Sequence, residues 1–179
     1  MKRAGLSPVR ALLVIFPQSL IGFLAVLAMA ARDVALADKQ DHHVLNDIDP
    51  NLKEFFGRGG KLLMYHGWSD QLIAPLNTVN YYESVRKSVG AAKSANSVRL
   101  FMFPGMAHCG GGEGPNRFDS TGALAQWVER GEVPDRMMAS HFTNGVVDRT
   151  RPLCPYPQVA AYKGGGSTDD AATFVCKAP

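Results

Sequence analysis

The chain is short of several things, and each shortage excludes something. It has only three cysteines in 179 residues, Cys109, Cys154 and Cys176. They cannot all pair within one chain, so one is left over. It has no internal repeat at solenoid periods, which sets aside a stacked array. It also has little charge of one sign outside its start. The formal net charge is +3, but Lys2, Arg3, Arg10, Arg32 and Asp33 account for all of it. The other fifteen of nineteen basic residues and fifteen of sixteen acidic ones balance. A body without net positive charge has little with which to release the counterions of a phosphate backbone, so no nucleic-acid partner is expected. The glycine-rich stretch "GGGEGP" lacks the GxGxxG and GK[ST] patterns of phosphate loops. "HC" at 108–109 has no ligands at finger-like spacing around it, and no Asp-rich loop has EF-hand spacing, so no metal is expected. His42 and His43 read as solvated loop residues.

What is present begins with a targeting pattern. "MKRAGLSPVR" is basic, "ALLVIFPQSLIGFLAVLAMAA" is apolar, and "VALA" precedes "DKQ". That order is an n-region, an h-region and a small-residue cleavage site, with the cut after Ala37. Residues 1–37 are therefore expected to be a signal peptide or N-terminal anchor, and 38–179 the body. The apolar run is long enough to hold a membrane if it is retained. The expected location is secreted or periplasmic, where cysteines tend to pair. The body is hydrophobic enough to be globular, at 46% apolar residues over the whole chain.

Along the body, "DPNLKEFFGRGG" predicts a short helix with Asp49 as N-cap, Pro50 at its first position and Leu52, Phe55 and Phe56 on one face. "KLLMY" (61–65) and "VRLFMF" (98–103) are short apolar runs between turn signals, which predict buried strands. "LNTVNYYESVRKSVG" predicts a helix stopped by Gly90. "AAKSANS" reads as a surface connection. "TGALAQWVERG" predicts a helix capped by Ser120, with Leu124, Trp127 and Val128 inward and Gly131 as stop. The alternation is that of an α/β domain with parallel strands. After Gly131, Pro, Gly and Thr dominate. That segment reads as an irregular C-terminal wrap pinned by a Cys154–Cys176 disulfide.

In a parallel sheet, ligands meet the loops at the carboxyl ends of the strands. One such loop, "HGWSDQ", offers Asp70, and the next, "PGMAHCGGG", offers His108. The hydrolase triad runs in the order nucleophile, acid, histidine, so Asp70 and His108 fit its second and third members. Asp70 would orient the imidazole and His108 would move the proton. Taken singly, Asp70 can be a turn or cap aspartate and His108 a polar loop residue.

"GGKLLMYHGWSD", "PLNTVNYYESV", "FPGMAHCGGG", "WVERGEVP" and "RPLCPYPQVAAYKGGGS" together resemble the C-terminal part of the tannase and feruloyl esterase family, over about residues 45–177. The resemblance implies a partial α/β-hydrolase, the C-terminal portion of the sheet, from a secreted esterase that cleaves gallate, ferulate or related phenolic-acid esters. It implies Asp70 and His108 as triad acid and base. It also implies that Cys109 is the histidine-side cysteine of a disulfide to a nucleophile Cys-Ser pair, here without its partner. It implies no cofactor within this chain, the family's calcium site lying in a lid outside it.

The family's nucleophile pattern is not found: there is no G-x-S-x-G and no Cys-Ser. Ser69, in "GWSDQ", abuts the acid. The expectation is thus a serine esterase's acid-and-base portion, inactive alone, from a truncated gene, an internal deletion or a mis-assembled open reading frame. A complementing N-terminal half, or a dimer through an exposed sheet edge or Cys109, is an expected partner. The alternative is an exported noncatalytic module binding an aromatic ligand or carbohydrate.

Overall fold

The computed structural model describes residues 8–41, 44 and 47–179, with side chains from residue 24 onward. His42 and His43 lie outside the described residues. The chain divides into two units, Met1–Ile48 and Asp49–Pro179. The first carries one helix, α1 (Pro8–Asp41), which contains the expected cleavage point after Ala37. Among the described residues no helix is long and apolar enough to cross a membrane.

The second unit opens with α2 (Lys53–Gly57). It starts later than its sequence predicts, and Asp49 is not its cap. The Asp49 carboxylate accepts instead from the Asn51 N–H at 2.9 Å, and the Leu52 N–H donates to the Pro50 carbonyl. These tight local turns hold residues 49–52 out of the helix. Phe56 is buried but Phe55 is exposed, because adjacent residues on a helix do not share a face.

Strands β1 (Leu62–Gly67) and β2 (Val98–Phe103) pair in parallel, from Leu62 opposite Val98 to Gly67 opposite Phe103. The crossover between them is α3 (Pro75–Val89), which ends at Gly90 with φ +85°, followed by α4 (Ala91–Ala95). The segment expected as a surface connection is thus helical and partly buried. Alanine favours the helix, and Ser94, 3% exposed, donates from Oγ to the Ala91 carbonyl.

Alternation along β2 explains the core. Val98, Leu100 and Met102 pack on one face with Phe56, Val79, Tyr82 and Val85. Phe101 and Phe103 point the other way, onto Met106, Met137, Ala139 and Leu153. Both faces of β2 are covered, as its unbroken apolar run requires.

Helix α5 (Ser120–Arg130) is capped by Asp119, whose carboxylate accepts from the Gly122 N–H at 2.7 Å; Ser120 is its first helical residue. Trp127 is buried beneath the cationic ends of Lys61 and Arg99. Val128, expected inward, is exposed. An 11-residue helix lying on a surface buries one stripe, and the bulky indole takes it.

The disulfide-pinned C-terminal wrap carries two antiparallel pairs. Strands β3 (Met137–Thr143) and β4 (Val146–Leu153) are joined by Asn144-Gly145, both at positive φ, the backbone a tight hairpin needs. Strands β5 (Val159–Tyr162) and β6 (Phe174–Lys177) form the second pair. The Cys154–Cys176 disulfide ties the end of β4 to β6.

Candidate active site

The site forms where β1 and β2 end. β1 runs two residues past its expected end, so His66 belongs to the strand rather than the loop. Beyond it the two strand-end loops are joined by their backbones. The Trp68 N–H donates to the Phe103 carbonyl at 2.9 Å and the Ser69 N–H to the Met106 carbonyl at 3.0 Å. Gly67 permits this approach, since a Cβ there would collide with the Met106 carbonyl oxygen. One loop then delivers Asp70 and the other His108.

Asp70 has a buried side chain, 3% exposed. Its Oδ1 accepts from the Leu72 N–H at 2.8 Å and the Ile73 N–H at 2.9 Å. Its Oδ2 lies 2.9 Å from His108 Nδ1 and 3.0 Å from His66 Nε2. Burial alone would raise the carboxyl's pKa. The Ile73 N–H, the His108 imidazole and the Leu72 N–H overcome it and hold Asp70 well below the usual carboxylate range. The carboxylate is therefore an acceptor at neutral pH. His108 must face it with an Nδ1–H, which leaves Nε2 as a base. The His108 side chain is 42% exposed, so a partner can reach it.

The two strand-end residues expected to meet are thus in contact. The turn role of Asp70 is present as well, carried by the other oxygen. Composition and spacing missed His66, whose place in the strand was obscured by reading "HGW" as loop. The available signal was a histidine four residues before the acid, where the apolar run turns polar. Among the described residues, the Ser69 side chain makes no hydrogen bond to His108 and no cluster of three metal-ligating side chains occurs. Cys109 is exposed, unpaired and at φ +57°, a left-handed backbone uncommon for a residue with a Cβ.

A parallel strand pair whose carboxyl ends bring a buried carboxylate onto an exposed imidazole fits the C-terminal portion of an α/β-hydrolase sheet. The model of the family "Tannase and feruloyl esterase" matches residues 26–177, beginning within the segment set aside as a leader. The mono(2-hydroxyethyl) terephthalate hydrolase of Piscinibacter sakaiensis is 49% identical over 78% of this chain and 23% of its own length. The probable feruloyl esterase B-1 of Aspergillus flavus is 35% identical over 82% of this chain and 32% of its own. The crystal structure of feruloyl esterase B from Aspergillus oryzae superposes with a TM-score of 0.73 at 29% identity, over 82% of this chain and 32% of that one. The chain belongs to the tannase and feruloyl esterase family, a family of ester hydrolases. It spans about a quarter to a third of the length of the relatives it matches.

Proposed function

We propose that this chain supplies the acid and the base of a serine-type carboxylic ester hydrolase acting on esters of phenolic acids, gallate or ferulate among them. The observation that carries the reading is the 2.9 Å contact between Asp70 Oδ2 and His108 Nδ1, with the far side of the imidazole exposed. His108 Nε2 takes the proton of an attacking serine and returns it to the departing alkoxide. Asp70 holds the productive tautomer and stabilises the imidazolium. The serine comes from polypeptide outside these 179 residues, and Cys109 pairs with a cysteine beside it. No cofactor takes part through the residues of this chain. Residues 38–179 form the hydrolase portion behind a leader at 1–37. The targeting pattern and the Cys154–Cys176 disulfide favour a secreted or periplasmic location.

The test is hydrolysis of gallate and ferulate esters by the chain alone and with added polypeptide bearing a Cys-Ser nucleophile turn. No turnover is expected alone, and turnover is expected on complementation. His108→Ala and Asp70→Asn should each lower the complemented kcat by about 10³- to 10⁴-fold. Turnover that both variants retain would sink the reading.

A cavity of about 750 Å³ favours a second reading, a noncatalytic aromatic-ligand module. Trp68, Tyr156, Phe174, Arg149 and Arg151 are among its lining residues, and its size is that of a small-molecule site. Saturable binding of ferulate by the chain alone, lost in Trp68→Ala and unaffected by His108→Ala, would favour it.

A further inference from the structure

We propose that the cavity of about 750 Å³ binds free aromatic carboxylic acids in preference to their neutral derivatives, with the carboxylate held by the Arg151 guanidinium. This rests on the second reading above, that the cavity takes an aromatic ligand, and not on the role of His108.

Charge on β4 is unevenly satisfied. Arg149 and Arg151 lie two residues apart on the strand and so share a face, and both line the cavity. Arg149 is engaged. Its Nε donates to Asp169 Oδ1 at 2.8 Å and its Nη1 to the Glu113 carbonyl at 3.1 Å. Asp169 is near enough to act on Arg151 through space, but its hydrogen bond goes to Arg149. Arg151 Nη1 is buried and, among the described residues, has no hydrogen-bond partner. The guanidinium lies over the Phe174 ring, with Cζ 3.8 Å from the centroid. A ring face attracts a cation but leaves the N–H groups of the guanidinium plane without acceptors. Burial and the neighbouring Arg149 cation both pull the Arg151 pKa down, yet a guanidinium keeps its proton in proteins. The result is a partly buried cation with an unused donor, a state that an incoming anion relieves.

The rest of the lining selects what carries the anion. Trp68, Tyr156 and Phe174 supply aromatic faces, and Met102 and Leu153 apolar walls. A small inorganic anion leaves those surfaces to water. A planar acid of the ferulate kind sets its carboxylate on the fork of Arg151 and its ring among the aromatic side chains. An ester has no charge to offer and places an alkoxy group where the second carboxylate oxygen belongs. Ester hydrolysis releases such an acid, so the chemistry of the cavity suits a product rather than a substrate. Neither Asp70 nor His108 is among its lining residues.

The rival role for Arg151 is structural, holding β4 against β6 through the Phe174 ring. Titration calorimetry on the full chain separates the two. Ferulate should bind saturably, and ferulamide, neutral and of nearly the same shape, about tenfold more weakly. Arg151→Met keeps an apolar stem over Phe174 and removes the charge. It should weaken ferulate about 10- to 100-fold, the scale of hydrogen bonds to a charged group, and abolish the preference for acid over amide. Its urea midpoint should be equal to or above that of the unaltered chain, because an unpartnered buried N–H is gone. A structural Arg151 predicts the opposite, a lowered midpoint and an intact preference. If Arg151→Met does not fold, ¹⁵N spectra of the unaltered chain decide. The Arg151 Nε–H signal should then shift with ferulate and not with ferulamide, and equal shifts overturn the proposal. Equal affinity for acid and amide, or an acid preference that survives in folded Arg151→Met, overturns it and leaves the aromatic-ligand reading standing. Absence of binding by either compound overturns both. Displacement of bound ferulate by the complementing Cys-Ser polypeptide would assign the carboxylate site to that polypeptide and overturn the proposal as well.

Discussion

At Asp70 three donors meet one carboxylate, two backbone amides on Oδ1 and the His108 imidazole on Oδ2. The backbone pair on Oδ1 belongs to a turn that many loop aspartates make. The His108 imidazole on Oδ2 is what links the turn to chemistry. Because these partners bind the ionised form, the folded-state pKa lies below the unfolded value of about 3.9. The stabilisation is then fully present above that unfolded value and is lost as pH falls through the folded one. Asp70→Asn has no such dependence at this site. The difference in urea midpoint between the unaltered chain and Asp70→Asn should be greatest near pH 5 and should shrink as pH falls below about 4. A difference that stays constant down to pH 2 would mean the carboxyl is not depressed in the folded chain.

At the scale of elements, the position of each cap and turn can be checked one residue at a time. Asp119→Ala should cost about 1 kcal/mol in chemical denaturation, because it removes the acceptor of the Gly122 N–H. Ser120→Ala should change stability by less than about 0.5 kcal/mol. Equal effects would return the cap to Ser120. Gly67→Ala should force the two strand-end loops apart, abolish the His108–Asp70 bond and cost about 1–3 kcal/mol of overpacking. Spectra of His108 beside a denaturation curve measure both. These elements also show why parts of the fold were legible from residues and others were not. β2 was readable to the residue because "VRLFMF" is uninterrupted, and a strand covered on both faces carries an unbroken apolar signal. α3 was readable from Val79, Tyr82 and Val85 at helical spacing, all buried. The start of α2 was not, since the competition between Asp49 capping a helix and Asp49 closing a turn is decided by backbone geometry. α4 is a five-residue helix, too short to show a period. The antiparallel pairs in the wrap alternate weakly, with exposed Val146, Val147, Val159 and Val175 among them. In the site, chain order was enough to bring Asp70 and His108 forward. It held no sign that His66 would lie 3.0 Å from the same carboxylate, because that depends on where β1 stops.

At the scale of the molecule, the free thiol of Cys109 and the open edge of β1 are two features whose part in any contact with another polypeptide can be measured separately. The disulfide joins residues 22 apart in sequence, worth about 3 kcal/mol in the chain-entropy view. Cys154→Ser/Cys176→Ser should lose stability of that order in urea. The unaltered chain, unfolded without reductant, should titrate one thiol. That thiol is Cys109, exposed on the loop that carries His108. Among the described residues β1 pairs on one side only. The side chains of Tyr65, Trp68, Leu72, Ile73 and Leu76 on β1 and the segment that follows it are exposed. An unpaired strand edge with apolar neighbours invites a second chain. The two contributions separate under sedimentation. The unaltered chain should give dimers that reductant partly dissolves. Cys109→Ser should lose the covalent dimer and keep a weaker association that grows with concentration. If Cys109→Ser sediments as a monomer at every concentration, the edge is not a docking edge and the thiol alone accounts for dimers. If it associates as strongly as the unaltered chain, Cys109 has no part in joining copies, and the apolar edge of β1 holds them together by itself.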